Sequence, residues 1–294
     1  RGFIWFGTED GLNRYDGYEL THSIRDRSAA GGLPNSWVAA LALDGKGQLW
    51  IGTADGGIVR RDPVDGRFHP PQDAGGKLLV DPRAAVRALR FDARDRLWIG
   101  TRNSGVRVLD LGKGEARDYR RDLTNSASLS DDSIHAFAEE RNGALWVGTE
   151  AGVDRIDSAT GEVTRFGERL RLLRGRDAAP VKVQALLVDS RGTIWMGTEV
   201  GLARFDPVSA TFDLLRHRSA DATSLPNDYV SAIIEDAEQR LWVGTANGLA
   251  LLDRRTDRFT TFRYSPSDRS SLPDNNIVTL FQDRTELLWV GTRS

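Results

Sequence analysis

The sequence predicts an all-β fold assembled from repeated four-stranded antiparallel sheets. Three observations carry the prediction. The phrase Trp-x-Gly-Thr occurs seven times, starting at Trp5, Trp50, Trp98, Trp146, Trp195, Trp242 and Trp289. Successive copies lie 45, 48, 48, 49, 47 and 47 residues apart, a period that belongs to repeat architectures. Each period holds four short apolar runs bounded by Gly, Pro, Asp and Asn, the pattern of strands joined by hairpins. No stretch sustains an amphipathic helical period long enough to compete.

Within one period, residues 33–70, each element has its reason. A turn at 33–36 leads into the apolar run 38–43, and Asp44-Gly45-Lys46-Gly47 closes a tight turn. Leu49-Trp50-Ile51-Gly52-Thr53 follows, then a break at 54–57, a third run at 58–62, a turn at 63–66 and a last run at 67–69. An acid sits six residues before each of the last six motif tryptophans: Asp44, Asp92, Glu140, Asp189, Asp236 and Asp283. An aliphatic residue sits twelve before: Val38, Val86, Ile134, Val183, Val230 and Ile277. Ten before lies a small residue, Ala40, Ala88, Ala136, Ala185, Ala232 or Thr279, which suits a first strand crowded near a central axis. Gly11, Gly105, Gly152, Gly201 and Gly248 follow the Thr, where a tight connection favours positive φ. Asp16, Asp62, Asp110, Asp157, Asp206 and Asp253 close the third strand.

A four-stranded sheet cannot bury both faces alone, and radial stacking of such sheets buries each against the next. The fold expected is therefore a β-propeller, with the Trp-x-Gly-Thr run as second strand and its Trp filling the space between blades. A β-solenoid, the rival, has shorter coils and parallel strands. The repeat glycines Gly7, Gly52, Gly100, Gly148, Gly197, Gly244 and Gly291 belong to this framework. The expected blades are 1–33, 34–80, 81–129, 130–179, 180–225, 226–272 and a partial 273–294, in one domain over 1–294. That is three strands, five whole blades and two strands, about 25 in all, six to seven blades of a ring expected to have seven. The expectation is a fragment of a longer chain with an exposed edge near 287–292.

The formal net charge of −2 gives no bulk field for nucleic acid or an anionic membrane. Only four of 40 basic residues are lysine, which reflects either genome composition or arginine recruited for bidentate recognition. The absence of cysteine excludes disulfides, thiol catalysis and Cys-ligated zinc. The sequence shows no signal peptide and no transmembrane run. His22, His69, His135 and His217 are dispersed without metal-ligand spacing, so neither a metal nor a cofactor is expected. Turns such as Asp189-Ser190-Arg191-Gly192-Thr193-Ile194-Trp195 are similar to the Asp boxes of sialidase propellers, but they recur in nearly every blade and read as structural.

Function should lie where blades differ. The connection after Gly-Thr varies while its flanks stay fixed, which selects Glu9, Asp10, Asp55, Arg102, Asn103, Glu150, Glu199 and Asn247 as candidate ligand-binding residues on one loop face. The inter-blade connections 24–35, 120–131, 216–227 and 264–275 are a second candidate, and both sets read equally as solvated turns. Trp37, the one tryptophan outside the phrase, is either a first-strand packing residue or an exposed platform for a sugar ring or partner.

Phrases such as Trp195-Met196-Gly197-Thr198-Glu199-Val200-Gly201-Leu202-Ala203-Arg204-Phe205-Asp206 resemble the two-component regulator propeller repeat. The opening run from Gly2 to Tyr18 and the entries Ser224-Leu225-Pro226 and Ser271-Leu272-Pro273 resemble it as well. The resemblance implies the periplasmic sensor region of a bacterial membrane protein. In such proteins two propellers and a small β-sandwich precede a transmembrane helix and a histidine kinase or diguanylate cyclase. It implies no catalytic residue here. The ligand it implies is a small molecule, an oligosaccharide in some members. The partners it implies are the rest of the parent chain and a second copy in a homodimer, with no nucleic acid. Two rivals stay open. One is a secreted glycan lyase or hydrolase drawing on Glu9, Asp10, Asp55, Glu150 and Glu199, and the other is a scaffold for protein partners.

Overall fold

The computed structural model describes residues 2–26, 31–73, 75–175 and 177–293. Two compact units divide the chain, Arg1–His135 and Ala136–Ser294.

The first unit opens with a three-stranded sheet, β1 (Ile4–Thr8), β2 (Gly11–Tyr15) and β3 (Leu20–Ser23). A four-stranded sheet follows: β4 (Val38–Leu43), β5 (Leu49–Thr53), β6 (Ile58–Arg61) and the short β7 (Phe68–His69). Next come β8 (Val86–Phe91), β9 (Leu97–Thr101), β10 (Val106–Asp110) and β11 (Glu115–Tyr119). The unit boundary falls inside β12 (Ile134–Glu139), which begins the next sheet with β13 (Leu145–Thr149), β14 (Gly152–Ile156) and β15 (Val163–Arg165). The second unit continues with β16 (Val183–Val188), β17 (Ile194–Thr198), β18 (Leu202–Asp206) and β19 (Thr211–Leu215). Its last full sheet is β20 (Val230–Glu235), β21 (Leu241–Thr245), β22 (Gly248–Asp253) and β23 (Arg258–Phe262). A two-stranded sheet ends the chain, β24 (Ile277–Gln282) with β25 (Leu288–Thr292). The fold is an all-β propeller with 25 strands among the described residues, matching the expected number of about 25 and ordered as consecutive antiparallel neighbours within each sheet.

Each letter of the repeated phrase has a separate physical job. In all six copies with an upstream acid, the Trp indole N–H donates to that carboxylate: Trp50 to Asp44 at 3.1 Å, Trp98 to Asp92 at 2.8 Å, Trp146 to Glu140 at 2.7 Å, Trp195 to Asp189 at 2.8 Å, Trp242 to Asp236 at 2.7 Å and Trp289 to Asp283 at 2.8 Å. The indole thus enters the core with its polar atom satisfied. The other oxygen of Asp189 accepts the N–H groups of Arg191 and Thr193, both at 2.9 Å, which fixes the turn before the strand. At Glu140 the extra methylene separates these tasks: Asn142 donates to Glu140 and takes over the turn by accepting from the Ala144 N–H at 2.8 Å.

The Gly lets the next blade approach. A Cβ built on Gly52 would lie 2.5 Å from Val86 Cγ1, and one on Gly244 would lie 2.6 Å from Ile277 Cγ2. The aliphatic residue twelve before the Trp is therefore the knob for the preceding blade's glycine, as Val38 is for Gly7 and Val230 for Gly197. The small residue ten before stands opposite the glycine of its own blade, as in Ala185↔Gly197 and Ala232↔Gly244, just after a register shift. Its size follows from that pairing. The Thr hydroxyl donates back to the hairpin glycine carbonyl, for example Thr198 to Gly201 at 2.6 Å and Thr245 to Gly248 at 2.8 Å.

One element departs from expectation. After β15 the chain forms a short helix, α1 (Gly167–Leu172), seated by the buried Leu170 in the core that contains Trp146, Val181 and Phe205. β25, like β1, differs from the other Trp-x-Gly-Thr strands: it is half-buried throughout, and Leu287 beside it is 60% exposed.

Candidate functional site

The variable residues sit where the sequence placed them, on the hairpins that join second and third strands. Glu9, Asp10, Asp55, Arg102, Asn103, Glu150 and Glu199 are exposed and Asn247 is half-buried. The hairpins are rigidly built: the Thr hydroxyl also accepts backbone N–H groups at the tip, from Asp10 at 3.3 Å, Ser104 at 2.8 Å, Val200 at 3.0 Å and Asn247 at 3.1 Å.

Main-chain bonds tie three of the tips to the residue that enters the first strand of the same blade. Ala54 N–H donates to Trp37 O at 3.0 Å, Arg102 N–H to Ala85 O at 2.8 Å and Ala246 N–H to Tyr229 O at 3.1 Å. Asn35 Nδ2 adds a bond to Asp55 O at 3.2 Å. In the first unit this places Trp37, 51% exposed and outside β4, next to the Asp55 hairpin. Trp37 therefore presents ring surface and does not pack inside the strand. In the second unit Tyr229, 43% exposed, stands beside the Asn247 hairpin, and its hydroxyl donates to Gln184 Oε1 at 2.5 Å. Lys182 meets Glu150 at 3.3 Å. In the first unit Arg87 Nη1 reaches Ser133 Oγ at 3.2 Å and the His135 ring at 3.2 Å.

Sequence reasoning missed Tyr229, Gln184, Lys182 and Arg87. The available signal was positional, because all four lie at or near the entry to a first strand, where the other blades carry unrelated residues. The five tip carboxylates Glu9, Asp10, Asp55, Glu150 and Glu199 are spread over four different hairpins.

The inter-blade connections are built alike, which makes them framework. Ser128, Ser224 and Ser271 each accept a backbone N–H six residues upstream, from Asp122, Arg218 and Ser265, at 2.8, 2.9 and 2.9 Å. Asp132, Asp228 and Asn275 accept from the N–H of Arg121, His217 and Tyr264, at 2.7, 2.7 and 2.8 Å. Of the connection 24–35, residues 27–30 lie outside the described residues. Two histidines are also structural: His22 meets Asn13 at 2.7 Å and His217 meets the Leu225 carbonyl at 2.8 Å.

Among the described residues one His and acid grouping has metal-compatible spacing, Asp62, Asp65 and His69, with ligand atoms within 4.8 Å. Its carboxylates already serve the turn. Asp62 accepts from Val64 N–H at 2.7 Å, which holds its pKa below the ordinary value, and Asp65 accepts from Arg67 N–H at 2.9 Å. Two clefts open on the outer strands. One of about 350 Å³ is lined by Leu214, His217, Leu225 and Phe259, and one of about 470 Å³ by Trp50, His69, Pro71 and Leu111. Neither is lined by a hairpin-tip candidate.

Five segments, 32–55, 128–151, 179–200, 224–247 and 271–294, match the two component regulator propeller family. The chain carries two-component regulator propeller repeats. Each matched segment runs from an inter-blade turn through the first strand to the Trp-x-Gly-Thr strand, the part in which the knob, the carboxylate, the indole and the glycine act together. No curated protein matches the chain by sequence. Its fold is similar to the extracellular domain of the hybrid two component system BT3049 of B. thetaiotaomicron, with a TM-score of 0.79 and 23% identity over 99% of this chain and 37% of that one. The BT4673 extracellular domain of the same organism gives 0.78 and 22% over 99% and 36%. Virginiamycin B lyase of Staphylococcus aureus gives 0.63 and 14% over 86% and 76%. The chain thus spans little more than a third of the two extracellular domains it matches. No helix among the described residues is long and apolar enough to cross a membrane.

Proposed function

We propose that this chain is a ligand-sensing propeller in the extracytoplasmic, periplasmic part of a bacterial membrane-anchored signalling protein. It performs no chemistry itself, and the parent's output is a histidine kinase or a diguanylate cyclase. The observation that carries the reading is the five-fold match to the regulator propeller repeat, supported by fold similarity to extracellular domains of two-component systems. The hairpin tips and strand entries supply the recognition surface. Trp37 with Asp55 in one unit, and Tyr229 with Asn247 and Gln184 in the other, combine a flat apolar ring with polar groups on a rigid backbone. Sugar rings are bound by that combination. A ligand held there changes the output only through different affinities for the two signalling states.

The test is a thermal-shift and calorimetric screen against neutral and acidic oligosaccharides. A ligand that stabilises the chain should lose its effect in Trp37→Ala or Tyr229→Ala, with the unliganded melting unchanged. Ligands indifferent to both substitutions, and to the eight tip residues, would remove this face from consideration. Similarity to a lyase fold favours one second reading, a propeller enzyme. Product formation from the same panel, abolished at Glu150 or Glu199, would establish that reading instead.

A further inference from the structure

The connection after the fourth sheet breaks the pattern of its neighbours. The loops at 120–131, 216–227 and 264–275 share one serine-centred architecture, whereas residues 166–175 form α1 and a turn. The sequence Arg165-Phe166-Gly167-Glu168-Arg169-Leu170-Arg171-Leu172-Leu173-Arg174 holds four arginines against one glutamate, in a chain whose net charge is −2.

This helix is fixed in place. Leu170 is 1% exposed in the core, and a Cβ on Gly152 would lie 2.5 Å from Gly167 Cα, so the helix start rests directly on a hairpin. Arg171 is tied to Glu168 at 2.6 Å and donates to Ala178 O at 3.2 Å. What remains is a rigid tip. Leu172 and Leu173 stand side by side, 49% and 37% exposed. Arg169, whose guanidinium lies 5.6 Å over the Phe166 ring, and Arg174 flank them, and among the described residues neither pairs with an acid.

We propose that this tip is a docking surface for an anionic phospholipid membrane. Two adjacent leucines flanked by unpaired arginines match the division of such a surface into acyl boundary and charged headgroups. The footprint is far smaller than the area per partner of a stable protein interface. The proposal stands on the surface chemistry alone and does not depend on the sensing reading.

The experiment is co-sedimentation of the 294-residue chain with phosphatidylglycerol-containing vesicles and with pure phosphatidylcholine vesicles, at about 0.1 M and about 1 M salt. Binding should be confined to the anionic vesicles and weaken in high salt. Arg169→Glu/Arg174→Glu and, separately, Leu172→Ser/Leu173→Ser should each weaken binding by about tenfold or more, with the unfolding transition unchanged. No binding by the parent chain, equal binding to both vesicle types, or binding unaffected by either double variant overturns the proposal. So does loss in the arginine variant alone combined with unimpaired heparin binding by the leucine variant, which would assign the tip to soluble polyanions.

Discussion

The shared indole–carboxylate bond lets the same substitution be compared in two blades, at Asp44 and Asp189. Asp44 accepts the Trp50 indole N–H at 3.1 Å and the N–H groups of Lys46 and Gln48 at 2.9 Å. Asp44→Ala leaves a buried indole donor unsatisfied, while the turn groups reach water; the expected loss is about 1–3 kcal/mol. Asp189 makes the same three bonds and also accepts Arg254 Nη1 at 2.8 Å, with side chains 1% and 10% exposed. Breaking a buried ion pair costs about 3–5 kcal/mol. Arg254 retains Glu235 at 2.7 Å, which offsets part of that. Asp189→Ala should therefore exceed Asp44→Ala by about 2 kcal/mol. Urea unfolding followed by tryptophan emission measures both, provided the slope stays constant. Arg254→Met alone should also be costly, because it leaves both Asp189 and Glu235 without their shared cation. Equal losses at Asp44 and Asp189 would refute the claim that the buried arginine sets the difference.

Three further outcomes follow. Gly197→Ala should lose about 1–3 kcal/mol, because its Cβ would meet Val230 O at 2.8 Å, a backbone atom that cannot turn aside; an unchanged melting temperature would contradict the close-approach account. Ser224→Ala should cost about 1–2 kcal/mol, since the hydroxyl accepts from Arg218 N–H at 2.9 Å and donates to Asp221 O at 2.7 Å; a neutral result would mean the connection is not framework. At Asp92 burial pushes the carboxyl up, but bonds from the Trp98 indole and from Arg96 outweigh it, and the pKa lies below the ordinary value. Glu140 and Asp236 behave alike, and bonds from Thr285 and Trp289 hold Asp283 at about 2. The unfolded chain therefore binds more protons at these sites. Their stabilisation is complete above the unfolded values near pH 4 and is lost as pH falls below them, so acid titration of the unfolding free energy should decline there and stay flat from pH 6 to 8.

What was legible in the sequence was whatever every blade must repeat. The strand count, the hairpins and the turn positions followed from the period, because the knob, the carboxylate, the indole and the glycine solve one packing problem in each blade. The reason for three of the spacings was not legible. The acid six before Trp reads as a turn residue until the indole is seen bonding to it. The aliphatic and small residues twelve and ten before acquire meaning only with the register shift between Val183 and Ala185, which lets one residue fill the neighbouring blade while the other faces its own glycine. The site was legible only as a face. Asp55 and Asn247 were identifiable because their flanks are fixed, whereas Trp37 and Tyr229 join them through main-chain bonds across a strand end, an adjacency that no linear spacing encodes. α1 escaped notice for a related reason. Six residues are too few for helical periodicity to stand out, and the helix persists because Leu170 is buried and Gly167 fits against Gly152, not because its sequence favours it in isolation. Where the repeat relaxes, at strand entries and at residues 166–175, tertiary contacts decide the conformation, and the residues released from framework duty are the ones proposed to bind.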